Sequence, residues 1–426
     1  MGSSHPDQIL KNTTLAKPDP NPTKTDNEFV GWYTDSALTM PYIFSSPVTA
    51  SLNLYAKWVT EPPAEITVTN GSTLEDKLDW LKDNARSNAI YTVEVNADEE
   101  IKEYSYKPYN TLSYTGKNDI TIKLVGIGEE RVISARNDIY YFIIETGVTL
   151  ILDNNITLKG VPVTNGLAIV RVNSGGSLVM NTGSKITGGR AIAYGSPGGG
   201  VAVYGTFTMN GGEISDCICY SRDAMYGGGV YVAPNRTFIM NDGKITGNNA
   251  YRGGGVYVDE NAIFTMNGGE ISDSDTAFIG QYTSYIGYGG GVHIASNGTF
   301  TMNNGKISGN KADYGGGVSS SGTFTMNGGE ISGNTAHNNG GGVSADGTFT
   351  KNGGTIYGYD ENDTTNSNVV QYYSGTVMNN RGHAVSFYFD DWFNNYQGKY
   401  RDTTAGPETN LDSAKDNTEG GWEGIF

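Results

Sequence analysis

The chain has 426 residues, 60 of them glycine and 13 proline; together these stay below the quarter or so that marks low-complexity disorder, and the glycines lack the every-third-residue period of collagen. Its 28 Lys and Arg against 45 Asp and Glu give a formal charge of −17, which repels phosphates and excludes nucleic acid as the expected partner. No apolar run approaches the roughly 18 residues of a membrane span, no signal peptide is visible, and two cysteines, Cys217 and Cys219, are too few to staple a secreted domain and are expected to be inert thiols.

In chain order, residues 1–10 (MGSSHPDQIL) read as an irregular start joined to the interior of a longer chain. Residues 11–60 form a segment of different composition, with Phe29, Gly31, Trp32, Tyr33 and Asp35, then Val48, Thr49, Leu52, Tyr55, Ala56 and Trp58. These residues resemble the Listeria–Bacteroides repeat, or internalin B-repeat. The resemblance implies a small β-grasp-like module, partial here because the usual first strand has no counterpart, of a kind strung along bacterial surface proteins. Residues 61–71 are the expected linker, and 72–118 an N-terminal cap. Within that cap Ser72 and Glu75 form a capping-box pattern, and Leu74, Leu78 and Leu81 fall on one helical face.

From about residue 173 the chain repeats itself: TFTMNGGEISGN, a variable loop, then GGGVYV. The apolar anchor recurs at Leu178, Phe207, Phe238, Phe264, Phe300, Phe324 and Phe349, at spacings of 29, 31, 26, 36, 24 and 25. Within a unit the apolar residues alternate, so Phe, Met, Ile and Val are predicted to face inward and Thr, Glu, Ser and Tyr outward. Three short strands per unit, separated by Asn-Gly and triple-Gly corners, predict an all-β fold. The expected architecture is a single-stranded, right-handed parallel β-helix of three short sheets and about 9–10 turns over residues 119–389, with 390–426 as the C-terminal cap or tail. Val148–Lys159 aligns with the repeat at Leu150, and Ile120–Val125 reads as the turn before it.

Two columns test whether one unit makes one turn. The outward position before the middle isoleucine reads Lys185, Glu213, Lys244, Glu270, Lys306, Glu330, so each charge has opposite neighbours above and below. The corner position reads Asn181, Asn210, Asn241, Asn267, Asn303, Asn327 and Asn352, an asparagine ladder in the making. Both are read as structural. Most of the glycine excess sits at the two corners of each turn, so function is expected in the glycine-poor segments between them.

FTMN paired with GGGV resembles the repeat signatures of polymorphic outer-membrane adhesins, and the GGEISGN layout is similar to spirochaete surface proteins. That resemblance implies a cell-surface, outer-membrane or secreted location and an adhesive or scaffold role. The variable loops all leave from one edge, between the ISGN corner and the triple glycine, and tyrosines crowd it: Tyr220, Tyr226, Tyr251, Tyr282, Tyr285, Tyr288 and Tyr314. The adjoining outward strand position adds Arg171, Tyr231, Tyr257 and His293. Exposed rings with few charges suit stacking on a glycan or docking of a host extracellular protein; rings of neighbouring turns also suit stacking on one another. A monomer is expected.

A polysaccharide lyase or glycoside hydrolase of the pectate-lyase-like type is the alternative. It would require paired carboxylates on rigid strands of neighbouring turns. Asp223, Asp273 and Asp275, with Arg222 and His293, make no recognisable cluster of that kind, so no catalytic residue is expected. The paired outward threonines Thr206/Thr208, Thr299/Thr301, Thr323/Thr325 and Thr348/Thr350 also resemble an ice-binding grid, interrupted by Ile239 and Ile263. Asp360–Asp363 (DEND) lacks the ligand spacing of a calcium loop, and His5, His337 and His383 have no partner cluster, so neither metal nor cofactor is expected.

Overall fold

The computed structural model describes residues 22, 28–42, 44, 52–59, 64–101, 111–135, 140–161, 166–220, 225–276, 286–390, 396–414 and 422–425. The chain divides into two compact units, 1–66 with 88–90, and 67–87 with 91–426. In the first, Glu28–Tyr33 pairs antiparallel with Tyr55–Val59, the register slipping between Phe29 and Gly31. The Phe29 ring meets Trp32 and Trp58 edge-on at 5.4 and 5.5 Å. The Asp35 carboxylate accepts from the Thr39 and Met40 amides, and the Met40 bond foremost holds its pKa below the ordinary value. Val48 and Thr49 lie outside the described residues.

The second unit is a parallel β-solenoid of about 9 turns. Its registers match the repeat residue for residue: Leu150 pairs with Leu178, Leu178 with Phe207, Phe207 with Phe238, and so on to Phe349. Because each turn sets the same residue over the last, identical rings stack. Phe207, Phe238, Phe264, Phe300, Phe324 and Phe349 follow one another at 4.6, 4.7, 4.7, 5.0 and 5.3 Å, all fully buried. Beside them run the buried isoleucines Ile186, Ile214, Ile245, Ile271, Ile307, Ile331 and Ile356, and opposite them the valines Val201, Val230, Val256, Val292, Val318 and Val343.

The three strands of each unit stack in register from turn to turn as expected, and short loop strands add two three-stranded ladders. The Phe and Ile strands join in one 20-stranded sheet, and the Val strands form a second of 12. In two turns a single strand, Thr206–Ser215 or Thr237–Thr246, runs through the Asn-Gly corner, with the register shifting there; in the other turns pairing stops at the methionine and resumes at the ladder Lys or Glu. The second glycine of the corner is required there: Gly269 has φ +82, and a Cβ on it would sit 2.6 Å from both Gly243 O and Met240 Cε. From Met209 to Met326 each methionine methyl thus packs beneath the next turn's glycine. Short further strands start the loops, as at Ile218–Cys219 and Lys311–Tyr314.

A second column of polar side chains, not read from the sequence, lies inside the coil. Cys217, Asn248, Ser274, Asn310, Asn334 and Asn368 are buried one above another. The Cys217 amide donates to Asn248 Oδ1 (2.9 Å), Ser274 N to Asn310 Oδ1 (3.0 Å), Asn310 N to Asn334 Oδ1 (3.0 Å) and Asn334 N to Asn368 Oδ1 (2.9 Å). These bonds satisfy the backbone where the chain turns from the Ile strand into the loop. The residue before each of the first five members takes a left-handed conformation, as Asp216, Gly247, Asp273, Gly309 and Gly333 do, which glycine and, less readily, aspartate adopt.

At the N-terminal end the helix Leu74–Asn84 buries Leu74, Leu78 and Leu81 as its spacing predicts. Its capping box is formed by Thr73 and Asp76, one residue beyond the expected Ser72 and Glu75. The shorter Asp76 side chain accepts from the Thr73 and Ser72 amides together, so the start moves with it. Strand stacking also begins earlier than Ile120, since Ala89–Val95 pairs with Ile120–Gly126. At the other end antiparallel partners close the parallel ladders: Tyr396–Arg401 on Val385–Asp390, and Leu411–Asp412 on Thr350–Lys351. Lys351 occupies the methionine position of the last turn, fully buried, and its Nζ donates to Gly406 O (2.6 Å) and Thr409 O (2.8 Å). Burial pushes its pKa down to about 8.

Candidate functional site

The variable edge is built from two columns. Just before the triple glycine, Tyr226, Arg252, Tyr288 and Tyr314 are joined rung to rung by parallel bridges. On the outward side of the Val sheet, Ala202, Tyr231, Tyr257, His293 and Ser319 follow in register. The first column folds over the second. Tyr226 stacks on Tyr257 at 4.5 Å, Tyr231 on Tyr257 at 5.9 Å, and Tyr257 on His293 at 5.2 Å. Arg252 lies over the Tyr288 ring at 5.4 Å, and Tyr288 stacks on Tyr314 at 5.4 Å. At the N-terminal end Arg171 covers Tyr204 at 4.4 Å.

Tyr231, Tyr257 and His293 point out of the coil but are only 7%, 4% and 5% exposed. They are therefore not the open row expected from alternation, because rings of the loop column cover them. Tyr251 is likewise buried, and Tyr220 meets it edge-on while its hydroxyl donates to Asn249 Oδ1 at 2.7 Å. The half-buried members are Tyr220, Tyr226, Tyr288 and Tyr314. Tyr282, Tyr285, Arg222 and Asp223 lie outside the described residues.

Burial dominates the electrostatics of this stack. It raises the Tyr257 and Tyr231 hydroxyl pKa values, and Tyr231 is raised further by donating to Asp259 Oδ2 at 2.6 Å. Burial, with Arg252 nearby, pushes His293 down to about 3, so it is neutral at physiological pH. Burial pushes the Cys217 thiol up to about 12, leaving it protonated.

One ring that sequence reasoning passed over stands out. Tyr373 is 74% exposed, yet its hydroxyl donates in a short bond to the buried Asp313 carboxylate, and its ring stacks on His337 at 4.0 Å. Asp313 is itself fixed by accepting from Gly287 N at 2.7 Å. Tyr373 sits in a tight hairpin closed by Tyr372 N to Thr376 O at 2.9 Å. The only sequence signal was the Tyr372-Tyr373-Ser374-Gly375 run, since Asp313 is 60 residues away.

The other carboxylates weighed from the sequence hold local structure. Asp273 occupies a left-handed corner with φ 53, and Asp275 bridges Asn249 and Lys311 through its backbone. In the DEND loop Asp360 and Asp363 accept from Asn362 and Asn366 amides of the same loop. His383 is buried and accepts from Val370 N through Nδ1. Among the described residues no three His, Cys, Asp or Glu side chains gather as a metal site would require.

Both ladders form as spaced. The corner asparagines donate amide to amide, Asn241 to Asn210 at 2.8 Å and Asn303 to Asn267 at 2.9 Å among them. Each ladder lysine reaches the glutamate of the next turn: Lys185–Glu213 at 2.8 Å, Lys244–Glu270 at 3.4 Å, Lys306–Glu330 at 2.9 Å. A groove of about 830 Å³ opens along the glycine corners, walled by Lys244, Glu270, Lys306 and Glu330.

No described helix is long and apolar enough to cross a membrane. No curated protein and no solved structure matches the chain. Residues 1–57 match the Listeria-Bacteroides repeat domain, so the N-terminal segment is similar to that family over a span beginning ahead of the expected residue 11.

Proposed function

We propose that this chain is a bacterial cell-surface or secreted β-solenoid that acts by binding a host extracellular protein or glycan at its loop edge. The rings that meet the partner are Tyr373, Tyr314, Tyr288, Tyr226 and Tyr220. The observation that carries the reading is Tyr373: a large ring exposed to solvent while its hydroxyl and one face are already fixed by Asp313 and His337. A ring immobilised before binding loses little side-chain entropy on contact, which is what rigid aromatic anchors contribute. The buried Tyr231, Tyr257 and His293 serve as its supporting stack.

Two further observations favour the surface location: the match at residues 1–57 is to a repeat family typical of bacterial surface proteins, and the FTMN and GGGV signatures resemble adhesin and spirochaete surface repeats. The reading is of a binding protein and not an enzyme. Screening on glycan and host-protein arrays, with an excess of neutral linear hexasaccharides present to occupy any other sugar site, tests it: Tyr373→Ala with Tyr288→Ala should abolish capture while the melting curve stays cooperative. Unchanged capture by that variant, or turnover of a polysaccharide by the wild type, would overturn it.

A further inference from the structure

The groove at the corner between the Phe and Ile strands spans seven turns, from Thr182 to Thr355, and reaches Pro407. At about 4.8 Å per turn its six steps measure about 29 Å. Eight glycines contribute to its lining, so much of its surface is bare peptide backbone. Its side chains follow a period of two turns. Over the first six turns the position after the corner asparagine reads Thr182, Gly211, Asp242, Gly268, Asn304, Gly328, the non-glycine turns being those that carry Lys185, Lys244 and Lys306; the alternation ends at the seventh turn, where Gly353 and Thr355 stand. The glycines are demanded by packing: a Cβ on Gly268 would lie 2.6 Å from Asn241 O, and one on Gly328 2.5 Å from Asn303 O. Thr182, Asp242 and Asn304 are exposed. A short hydrogen-bonding side chain therefore enters the groove every second turn, about 9.6 Å apart, between wall charges that alternate in sign.

We propose that this groove binds an extended, uncharged polysaccharide laid along the solenoid axis, one sugar per turn. A polymer of uniform charge meets an unfavourable rung at every second turn, whereas hydroxyls accept from the lysines and donate to the glutamates alike. The two-turn period fits a chain whose successive sugars flip over, presenting the same edge at every second residue. The side-chain-free glycine surface lets a ring approach closely. A peptide is disfavoured because the strands cross the groove, and their backbone groups are already paired with the turns above and below. The site is separate from the tyrosine edge and does not rest on it.

The test uses the full chain and the neutral probes cellohexaose, xylohexaose and mannohexaose, with polygalacturonate as the anionic control, followed by calorimetry and NMR. At least one neutral hexasaccharide is expected to bind and polygalacturonate is not. Asp242→Trp with Asn304→Trp, at exposed positions of ordinary backbone conformation, should weaken binding at least tenfold by filling the groove. Asp242→Ala with Asn304→Ala, which adds no bulk, should weaken it three- to tenfold and covers the case in which the tryptophan variant misfolds. Tyr373→Ala with Tyr288→Ala should leave hexasaccharide binding intact, so failure of the edge reading and failure of the groove are distinguishable. The proposal falls if none of the neutral probes binds, if the groove variants bind like the wild type, if only the tyrosine variant loses binding, or if polygalacturonate binds as tightly.

Discussion

On the corner side of the solenoid each turn repeats the residue of the turn before: phenylalanine on phenylalanine, isoleucine on isoleucine, asparagine on asparagine. On the loop edge the stack is heterotypic, with Tyr226, Arg252, Tyr288 and Tyr314 folded over Tyr231, Tyr257 and His293. The first column type is restrictive, because stacked rings and amide ladders fit their own copies best, and it is broken only toward its ends, where Leu178 lies against Phe207 and Lys351 against Met326. The second needs only flat, polarisable groups of similar height, so residue identity drifts while stacking persists. Variation is thus tolerated at the one edge where loops also change length, and a surface for partners can diversify without disturbing the core.

Substitutions that treat the two sides alike should therefore give unlike results. The largest effect is expected from Phe300→Ala, which leaves a cavity between two stacked rings and should cost about 3–5 kcal/mol; Tyr288→Ala, at the half-buried edge, should cost about 1 kcal/mol or less beyond its lost contacts. Urea melts of the two variants measure the difference, and equal midpoints would erase the distinction.

The two asparagine ladders offer a sharper comparison. Asn334→Ala strips an acceptor from the buried Asn310 amide and a donor from Ile307 O, a loss of about 2–4 kcal/mol. Asn303→Ala, in the exposed ladder, should stay below about 1 kcal/mol, because water replaces the amide. Hydrogen exchange at Asn310 should rise only in the first.

Acid probes the edge through one buried ring. His293 titrates near 3 in the folded protein, against the 6.5 of an ordinary histidine, so between these values the unfolded chain binds the extra proton. Stability is then full above pH 6.5 and falls as pH drops toward 3, by about 1.4 kcal/mol per unit over most of that window. In His293→Tyr, which extends the Tyr231–Tyr257 column, this part of the acid sensitivity should vanish from a pH series of melting temperatures.

The smallest effect is expected from Lys244→Gln. Its partner lies at 3.4 Å and both side chains are partly exposed, so the loss should be within about 1 kcal/mol and shrink further in salt.

The corner side was legible because its signals are local and repeated. Alternation set which residues face inward, and the charge and asparagine columns set one repeat per turn. The capping box slipped by one residue because Ser72 with Glu75 and Thr73 with Asp76 both satisfy the pattern, and only the reach of the Asp76 carboxylate separates them. The internal column was hidden by its substitutions, since Cys217 and Ser274 stand where Asn248, Asn310, Asn334 and Asn368 recur. Exposure at the edge stayed open for a different reason: alternation gives the direction of Tyr257, not what lies above it.

From its sequence alone this protein declares a β-solenoid, its repeat, its inward columns and the corners where glycine must stand, because each follows from one residue's relation to its own copy a turn away. Only the tertiary structure decides that Tyr231, Tyr257 and His293 are covered, that Tyr373 is held by Asp313, and that the glycine corners open into a groove. Those outcomes depend on how loops of unequal length fold back and on the empty volume that side chains leave between turns, and neither is written in a periodic pattern.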